Sequence, residues 1–114
     1  MNISFTKVSS KELKKPPTTL SGVEFGTVFS DHMFCMEYNQ GVGWHTPQIK
    51  PYGPISLEPS SMVLHYAQMS FEGLKVYKIQ SGEHALFRPR ENFKRMNRTA
   101  QRLCIPELDV DEVL

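Results

Sequence analysis

The sequence lacks most features that would mark a specialised class of protein. Only two cysteines are present, Cys35 and Cys104, and neither belongs to a C-x-x-C or C-x-x-H group, so we expect no metal site. Both lie among apolar neighbours, which favours buried free thiols in a reducing compartment, although one disulfide between them is also compatible with the sequence. No apolar run reaches membrane-spanning length, so we expect no membrane partner.

An excess of charge of one sign is also lacking. The 13 Lys and Arg residues nearly balance the 12 Asp and Glu residues, for a formal net charge of +1, which argues against a nucleic-acid partner. Residues 1–17 contain lysine and serine but neither arginine nor an apolar signal core, so a mitochondrial address has little support. We therefore predict a cytoplasmic globular protein.

Complete catalytic motifs are missing too. No serine lies in a nucleophile-elbow motif, and no cysteine and histidine form a recognisable catalytic signature. There is also no glycine-rich loop of the kind whose backbone N–H groups surround a phosphate. The residues therefore supply no nucleophile with an adjacent base, and we expect no complete catalytic site in this chain.

What is present is a series of strand and helix signals sufficient for one domain. With 114 residues, 8 prolines and 7 glycines, the chain has room for one modest core and many turns. We expect residues 1–20 to form a mobile N-terminal arm and residues 21–114 to form a small α+β domain with helices packed on a sheet. The predicted order is a strand at 31–38, a turn at 39–43, extended chain at 44–59, a helix at 62–69, hairpin strands at 74–79 and 85–88, a helix at 91–103 and the start of a third helix at Asp109.

Two of these helices lead to further expectations. The helix at 62–69, which Ser60 or Ser61 would cap, is apolar nearly all round and should be buried on both sides. The third helix has an acidic first turn after Asp109, but the sequence stops at Leu114, about one turn later. Because one helical turn gains less free energy than its nucleation costs, we expect the domain to continue beyond this point.

Three arginines form a basic stripe on the helix at 91–103. Arg95, Arg98 and Arg102 lie at i, i+3 and i+7, opposite an apolar stripe that consists of Phe93, Met96, Ala100, Leu103 and Cys104. From the spacing alone, a solvated face is the favoured interpretation. An anion site is a more specific interpretation, because guanidinium groups suit phosphate and carboxylate geometry. An RNA-binding stripe is a third interpretation, which the lack of interleaved aromatic residues disfavours.

A second cluster consists of aromatic residues around the end of the helix at 62–69. Tyr66 and Phe71 could be ordinary core residues, which is how most such aromatics are used. Alternatively, they could form the wall of a pocket for an aliphatic side chain. Glu72 does not suit a purely apolar core, so it should face solvent or be paired.

Seven segments of the sequence together resemble the branched-chain amino-acid aminotransferases of pyridoxal-phosphate fold type IV. The resemblance runs from about residue 25 to the C-terminus. The segments are FSDHM at 29–33, PYGPISLEP at 51–59, LHY at 64–66, FEGLK at 71–75, LFRP at 86–89, NFKRM at 92–96 and RLCIP at 102–106. The LHY and FEG segments also occur in D-amino-acid aminotransferases, whereas the first segment and the last three point to the branched-chain group.

The resemblance implies a function and a site. Family members transfer the amino group of leucine, isoleucine or valine to 2-oxoglutarate on pyridoxal 5'-phosphate, and they form homodimers. It implies that Arg95 binds the cofactor phosphate and that Phe25, Tyr66 and Phe71 line the substrate pocket, as part of a small N-terminal domain. The family's catalytic lysine belongs to a C-terminal domain.

The same resemblance implies that this chain is inactive alone. None of Lys75, Lys78 and Lys94 matches the catalytic lysine, so we expect no catalytic residue here. Two alternatives remain open. One is a sister fold-type IV enzyme such as a D-amino-acid aminotransferase, and the other is a binding module that uses the stripe of Arg95, Arg98 and Arg102.

Overall fold

The computed structural model describes residues 1–19 and 21–114. Its elements are, in chain order, β1 (Ser4–Phe5), β2 (His32–Asn39), β3 (Gly43–Pro51), α1 (Met62–Tyr66), β4 (Val76–Lys78), β5 (His84–Leu86), α2 (Pro89–Arg102) and α3 (Val110–Val113). They fall into two compact units, Met1–Ser56 and Leu57–Leu114. The predicted α+β class is confirmed, with a mixed sheet in the first unit and an antiparallel hairpin in the second.

Three strands form the sheet of the first unit, in the order β1-β3-β2. β2 and β3 are antiparallel and are joined by the turn predicted at 39–43, whereas β1 runs parallel to β3. Gly41 and Gly43 have φ of 86° and 87°, values that residues with a Cβ rarely adopt, so glycine permits this turn. The predictions of a strand and a turn in this region are confirmed.

A proline interrupts the second strand of this hairpin. The register shifts between Cys35 and Glu37, so that Thr46 and Pro47 lie opposite a single residue of β2. Proline has no N–H for the strand ladder, and a bulge is one of the places where a strand tolerates it. The chain predicted to be extended at 44–59 is therefore a bulged strand as far as Pro51 and irregular beyond it.

The N-terminal residues lie along this sheet. Besides the pairing of β1 with β3, the Val8 N–H donates to Nε2 of His32 at 3.0 Å. The Lys14 N–H donates to Oδ1 of Asp31 at 2.9 Å. Mobility of the arm stays a prediction, and Leu20, where we expect the arm to end, lies outside the described residues.

The first helix of the second unit is shorter than predicted. α1 ends at Tyr66 because Ala67 takes a left-handed conformation with φ of 49°, and the Ser61 side chain makes no capping hydrogen bond. The prediction that this helix is buried on both sides is wrong, since Met62 and Leu64 are 49% and 59% exposed. The reason is that none of the described helices and strands of this unit packs closely over it.

The hairpin and the later helices follow the predictions more closely. β4 and β5 pair around the predicted turn at 81–83. α2 begins at Pro89, whose restricted φ suits the first position of a helix. α3 begins after Asp109, whose carboxylate accepts the N–H groups of Asp111 and Glu112 as a cap. The predictions of a hairpin, a long helix and the start of a third helix are confirmed.

Little of this chain is buried. Ala100 of α2, at 3% exposed, is the only buried residue in the part of the chain that the structure describes. Phe93, Met96 and Leu103 are half-buried, which confirms the direction of the predicted apolar stripe for these positions. Because large apolar side chains elsewhere in this unit are exposed, the second unit by itself has a very small core.

The two cysteines differ from each other. Cys35 in β2 is half-buried, whereas Cys104 is exposed, so the prediction of a buried thiol is wrong at Cys104. That residue has φ of 54° and follows the end of α2, where the chain turns out of the helical path. Both thiols are free, so the structure has the free form and not the disulfide.

Candidate functional site

An ion pair joins the long helix of the second unit to the loop before the hairpin. Arg95 lies in the second turn of α2, and Glu72 lies between α1 and β4. The Arg95 Nε–H donates to Glu72 Oε2 at 2.8 Å, and Arg95 Nη2 donates to Glu72 Oε1. Two parallel hydrogen bonds between a guanidinium and a carboxylate fix the direction of both groups. The prediction that Glu72 is either solvent-facing or paired is confirmed, because the residue is paired.

Two further donors hold the Glu72 carboxylate. Asn92 lies three residues before Arg95 and so faces the same side of α2. Its Nδ2 donates to Glu72 Oε1 at 3.1 Å and to the Gly73 carbonyl at 2.7 Å. The Gly73 N–H also donates to Glu72 Oε1, at 3.0 Å. The carboxylate is therefore anchored to both the helix and its own loop.

The electrostatics of the pair follow from these contacts. The hydrogen bond from Arg95 is the largest cause that lowers the pKa of Glu72 from 4.5 to about 2, with Asn92 and Gly73 adding to it and partial burial opposing it. The hydrogen bond to Glu72 likewise raises the pKa of Arg95. Both groups are therefore charged at neutral pH, and the hydrogen bonds between them are charge-assisted.

The two members of the pair differ in exposure. The Glu72 side chain is 9% exposed, whereas the Arg95 side chain is 59% exposed. A guanidinium has five N–H donors, and the bonds to Glu72 use Nε and one hydrogen of Nη2. The edge made by Nη1 and the second hydrogen of Nη2 is left for another acceptor. That edge has the paired-donor geometry that suits a phosphate or a carboxylate.

The three aromatic residues of the predicted pocket are all exposed. Phe25 is 101% exposed, Tyr66 is 77% exposed and Phe71 is 84% exposed. Phe25 belongs to the first unit, and the other two belong to the second, together with Arg95. Core packing, the alternative interpretation of Tyr66 and Phe71, is thus wrong for the chain as it stands.

The other two arginines of the stripe are exposed as well. Arg98 and Arg102 lie on the outer face of α2, while Phe93 and Met96 are half-buried on the opposite face. Their exposure is what both a solvated face and an RNA-binding stripe require, so it does not separate those interpretations.

Sequence reasoning missed part of this network. Asn92 was not expected to have any role, although its position one turn before Arg95 places it on the same side of the helix. The structure shows that it connects Glu72 with the Gly73 carbonyl. The signal that could have identified it is the spacing. An asparagine three residues before an arginine lies on the same side of a helix and can donate to the same carboxylate.

Among residues 1–19 and 21–114, which the structure describes, no helix is both long and apolar enough to cross a membrane. No three side chains of His, Cys, Asp or Glu there come together in a way that could hold a metal ion.

The chain is similar to several known proteins over most of its length. It is 51% identical over 94 residues, 82% of the chain, to a branched-chain-amino-acid transaminase 1 of Bacillus subtilis (strain 168). It is 45% identical over 95% of the chain to a branched-chain-amino-acid aminotransferase 2 of the same organism. It is 41% identical over all 114 residues to a cytosolic branched-chain-amino-acid aminotransferase of Saccharomyces cerevisiae.

The matched regions are a small part of these relatives. The chain spans 26% of the length of the first and 30% of the length of the other two. No family model matches the chain. The level of identity, sustained over 82–100% of the chain, agrees with the resemblance in the seven sequence segments. The chain belongs to the family of branched-chain-amino-acid aminotransferases.

Proposed function

We propose that this chain is the N-terminal part of a branched-chain amino-acid transaminase, which transfers the amino group of leucine, isoleucine or valine to 2-oxoglutarate. The observation that carries the proposal is the identity of 41–51% to proteins of that name over nearly the whole chain. The proposal includes the small-domain fold of fold-type IV aminotransferases, a homodimer and a cytoplasmic location.

The proposed cofactor is pyridoxal 5'-phosphate, and the donor set at Arg95 fits its phosphate. The guanidinium is more than half exposed, is charged, and has one edge that the bonds to Glu72 leave free. When bound, the cofactor supplies the electron sink that amino transfer needs. Arg95 would hold the phosphate by charge-assisted hydrogen bonds and so fix the position of the cofactor.

The proposed substrate pocket uses the three exposed aromatics. Phe25, Tyr66 and Phe71 offer large apolar faces, and the Tyr66 hydroxyl offers one polar contact. An apolar slot separates neighbouring aliphatic side chains by only about 1–3 kcal/mol per methylene. We therefore propose that leucine, isoleucine and valine are all accepted.

The remaining wall of the site would come from a C-terminal domain of the same protein. The exposed apolar side chains of the second unit support this, because Leu64, Val76 and Phe87 are 59%, 58% and 74% exposed. Large apolar side chains left exposed in this way would be buried by contact with another protein surface. The relatives have ample length for such a domain, since the chain spans 26–30% of them. It would also supply the catalytic lysine, so we propose that residues 1–114 alone are inactive.

An amino-transfer assay tests this function. The full-length protein that contains the chain, supplied with pyridoxal phosphate, should form glutamate from 2-oxoglutarate with L-leucine, L-isoleucine and L-valine, and residues 1–114 alone should form none. Transfer from D-alanine in place of L-leucine would support the sister D-amino-acid activity and contradict the proposal. Absence of amino transfer together with tight, salt-sensitive RNA binding would favour a binding module on the arginine stripe.

A further inference from the structure

The contacts of Glu72 indicate a role that the proposed phosphate site does not yet include. The carboxylate contacts the guanidinium along one edge, through Arg95 Nε and Nη2, and leaves the other edge free. The Arg95 side chain is 59% exposed, and a long exposed side chain without a fixed partner samples many rotamers. The partner that fixes the orientation of the guanidinium is therefore Glu72.

Glu72 is itself better fixed than an ordinary surface carboxylate. Its side chain is 9% exposed and accepts hydrogen bonds from the side chain of Asn92 and the backbone of Gly73 as well as from Arg95. Asn92 also donates to the Gly73 carbonyl at 2.7 Å. A rigid acceptor that is tied to both its own loop and α2 can define where the free edge of the arginine points.

The negative charge of Glu72 has the opposite electrostatic effect. It partly offsets the charge of Arg95 and repels a phosphate dianion nearby. If charge alone mattered, removing it would strengthen phosphate binding. If orientation matters more, removing the carboxylate would weaken phosphate binding. The two effects therefore predict opposite signs for the same substitution.

We propose that Glu72 is a positioning residue that holds the Arg95 guanidinium in the orientation needed to bind the cofactor phosphate. The inference rests on the proposed function, because it assumes that Arg95 contacts that phosphate. Glu72 itself does not contact the cofactor in this account. Asn92 supports Glu72, and so it has a weaker effect of the same sign.

The test compares binding of pyridoxal phosphate with binding of pyridoxal, which lacks the phosphate, to the full-length protein stripped of cofactor. Glu72→Ala should raise the Kd of pyridoxal phosphate about tenfold, by analogy with residues that orient metal ligands, whose loss weakens metal binding about 10–100-fold. The Kd of pyridoxal should stay within about twofold of the wild-type value, because the lost contact serves the phosphate. Glu91→Gln is the matched control, since Glu91 pairs with Lys94 on the same helix and should change neither constant.

Two further variants separate orientation from charge and from misfolding. Glu72→Gln keeps an acceptor oxygen while removing the charge, and we expect it to raise the Kd of pyridoxal phosphate less than Glu72→Ala does. In the double variant Glu72→Ala/Arg95→Ala, the Kd should be no higher than in Arg95→Ala alone, because Glu72 acts through Arg95. A single cooperative thermal unfolding transition of Glu72→Gln, well above the temperature of the binding measurement, would show that the fold survives.

The outcomes distinguish this inference from the proposed function. If Arg95→Ala weakens the binding of pyridoxal phosphate but not of pyridoxal, and Glu72→Ala weakens neither, the positioning role is wrong and the phosphate site stands. If Glu72→Gln lowers the Kd of pyridoxal phosphate, the effect of charge outweighs that of orientation and the positioning role is also wrong. If Arg95→Ala itself leaves both constants unchanged, the phosphate site of the proposed function fails, and the positioning role fails with it.

Discussion

Different kinds of contact stabilise the two compact units of this chain, each considered by itself. In the first unit, backbone hydrogen bonds join three strands, and even the N-terminal residues pair with the edge of the sheet. In the second unit, side chains make the long connections: Glu72 accepts from Arg95 and Asn92, which follow it by 23 and 20 residues. The Gln68 side chain also donates to the Leu103 carbonyl, 35 residues away. The first unit is therefore organised mainly by its backbone, whereas the candidate site depends on a few side chains.

The same contrast applies to burial. The side chains of β2 and β3 are mostly half-buried against one another, whereas the second unit buries Ala100 and little else among the described residues. A unit with so small a core depends strongly on each buried atom. Substitutions in each unit should therefore reveal whether its stability depends more on packing or on backbone geometry.

The largest effect on stability is expected at Ala100. Ala100→Leu adds bulk at a residue of α2 that is 3% exposed, and overpacking of a filled site costs about 1–3 kcal/mol. Arg98→Leu, on the exposed face of the same helix, should stay within about 0.5 kcal/mol of the wild type. Urea unfolding of the full-length protein would measure both variants. Equal stability of the two would show that α2 is not packed as described.

The next effect is expected at the turn of the first unit. Gly41→Ala places a Cβ on a residue with φ of 86°, and the left-handed region costs a residue with a Cβ about 1–2 kcal/mol. Gly53→Ala is the control, because Gly53 has no positive φ and a Cβ there meets nothing within 4 Å. Thermal unfolding should separate the two variants. A similar loss at both positions would contradict the backbone argument.

The smallest effect is expected from acid. The folded pKa of Glu72 is about 2 and its ordinary value is 4.5, so the pair stabilises the folded state above about pH 4.5 and this contribution is lost as the pH falls towards 2. Glu72→Gln cannot titrate, so its stability should fall less steeply over that window. Unfolding curves at several values between pH 2 and 5 would measure the difference. Parallel curves for wild type and variant would contradict the lowered pKa.

Much of the fold could be predicted because the signals are local. The strand that contains Cys35 follows from strand-favouring side chains on both of its faces. The glycine turn after it follows from glycine's conformational freedom, and the helix that begins near Pro89 follows from helical spacing. The pairing of Glu72 could be predicted as one of two options, because a carboxylate cannot be buried without a partner.

The features that sequence reasoning missed depend on contacts between distant segments. Parallel pairing of β1 with β3 joins residues more than forty positions apart, and no turn signal in the sequence indicates this pairing. The exposure of Leu64 and Cys104 depends on what packs against them, which an apolar pattern alone does not define. Asn92 was missed for the same reason, since its partner is a loop before the hairpin.

The central claim is that the free edge of Arg95 binds the phosphate of pyridoxal phosphate. The most direct test is the Kd of that cofactor for the full-length protein with Arg95→Ala, with Arg98→Ala on the same face of α2 as the matched control. The account predicts that Arg95→Ala retains its fold but has a markedly higher Kd, and that Arg98→Ala has an unchanged Kd. An unchanged Kd for Arg95→Ala, or equal losses in the two variants, would contradict it.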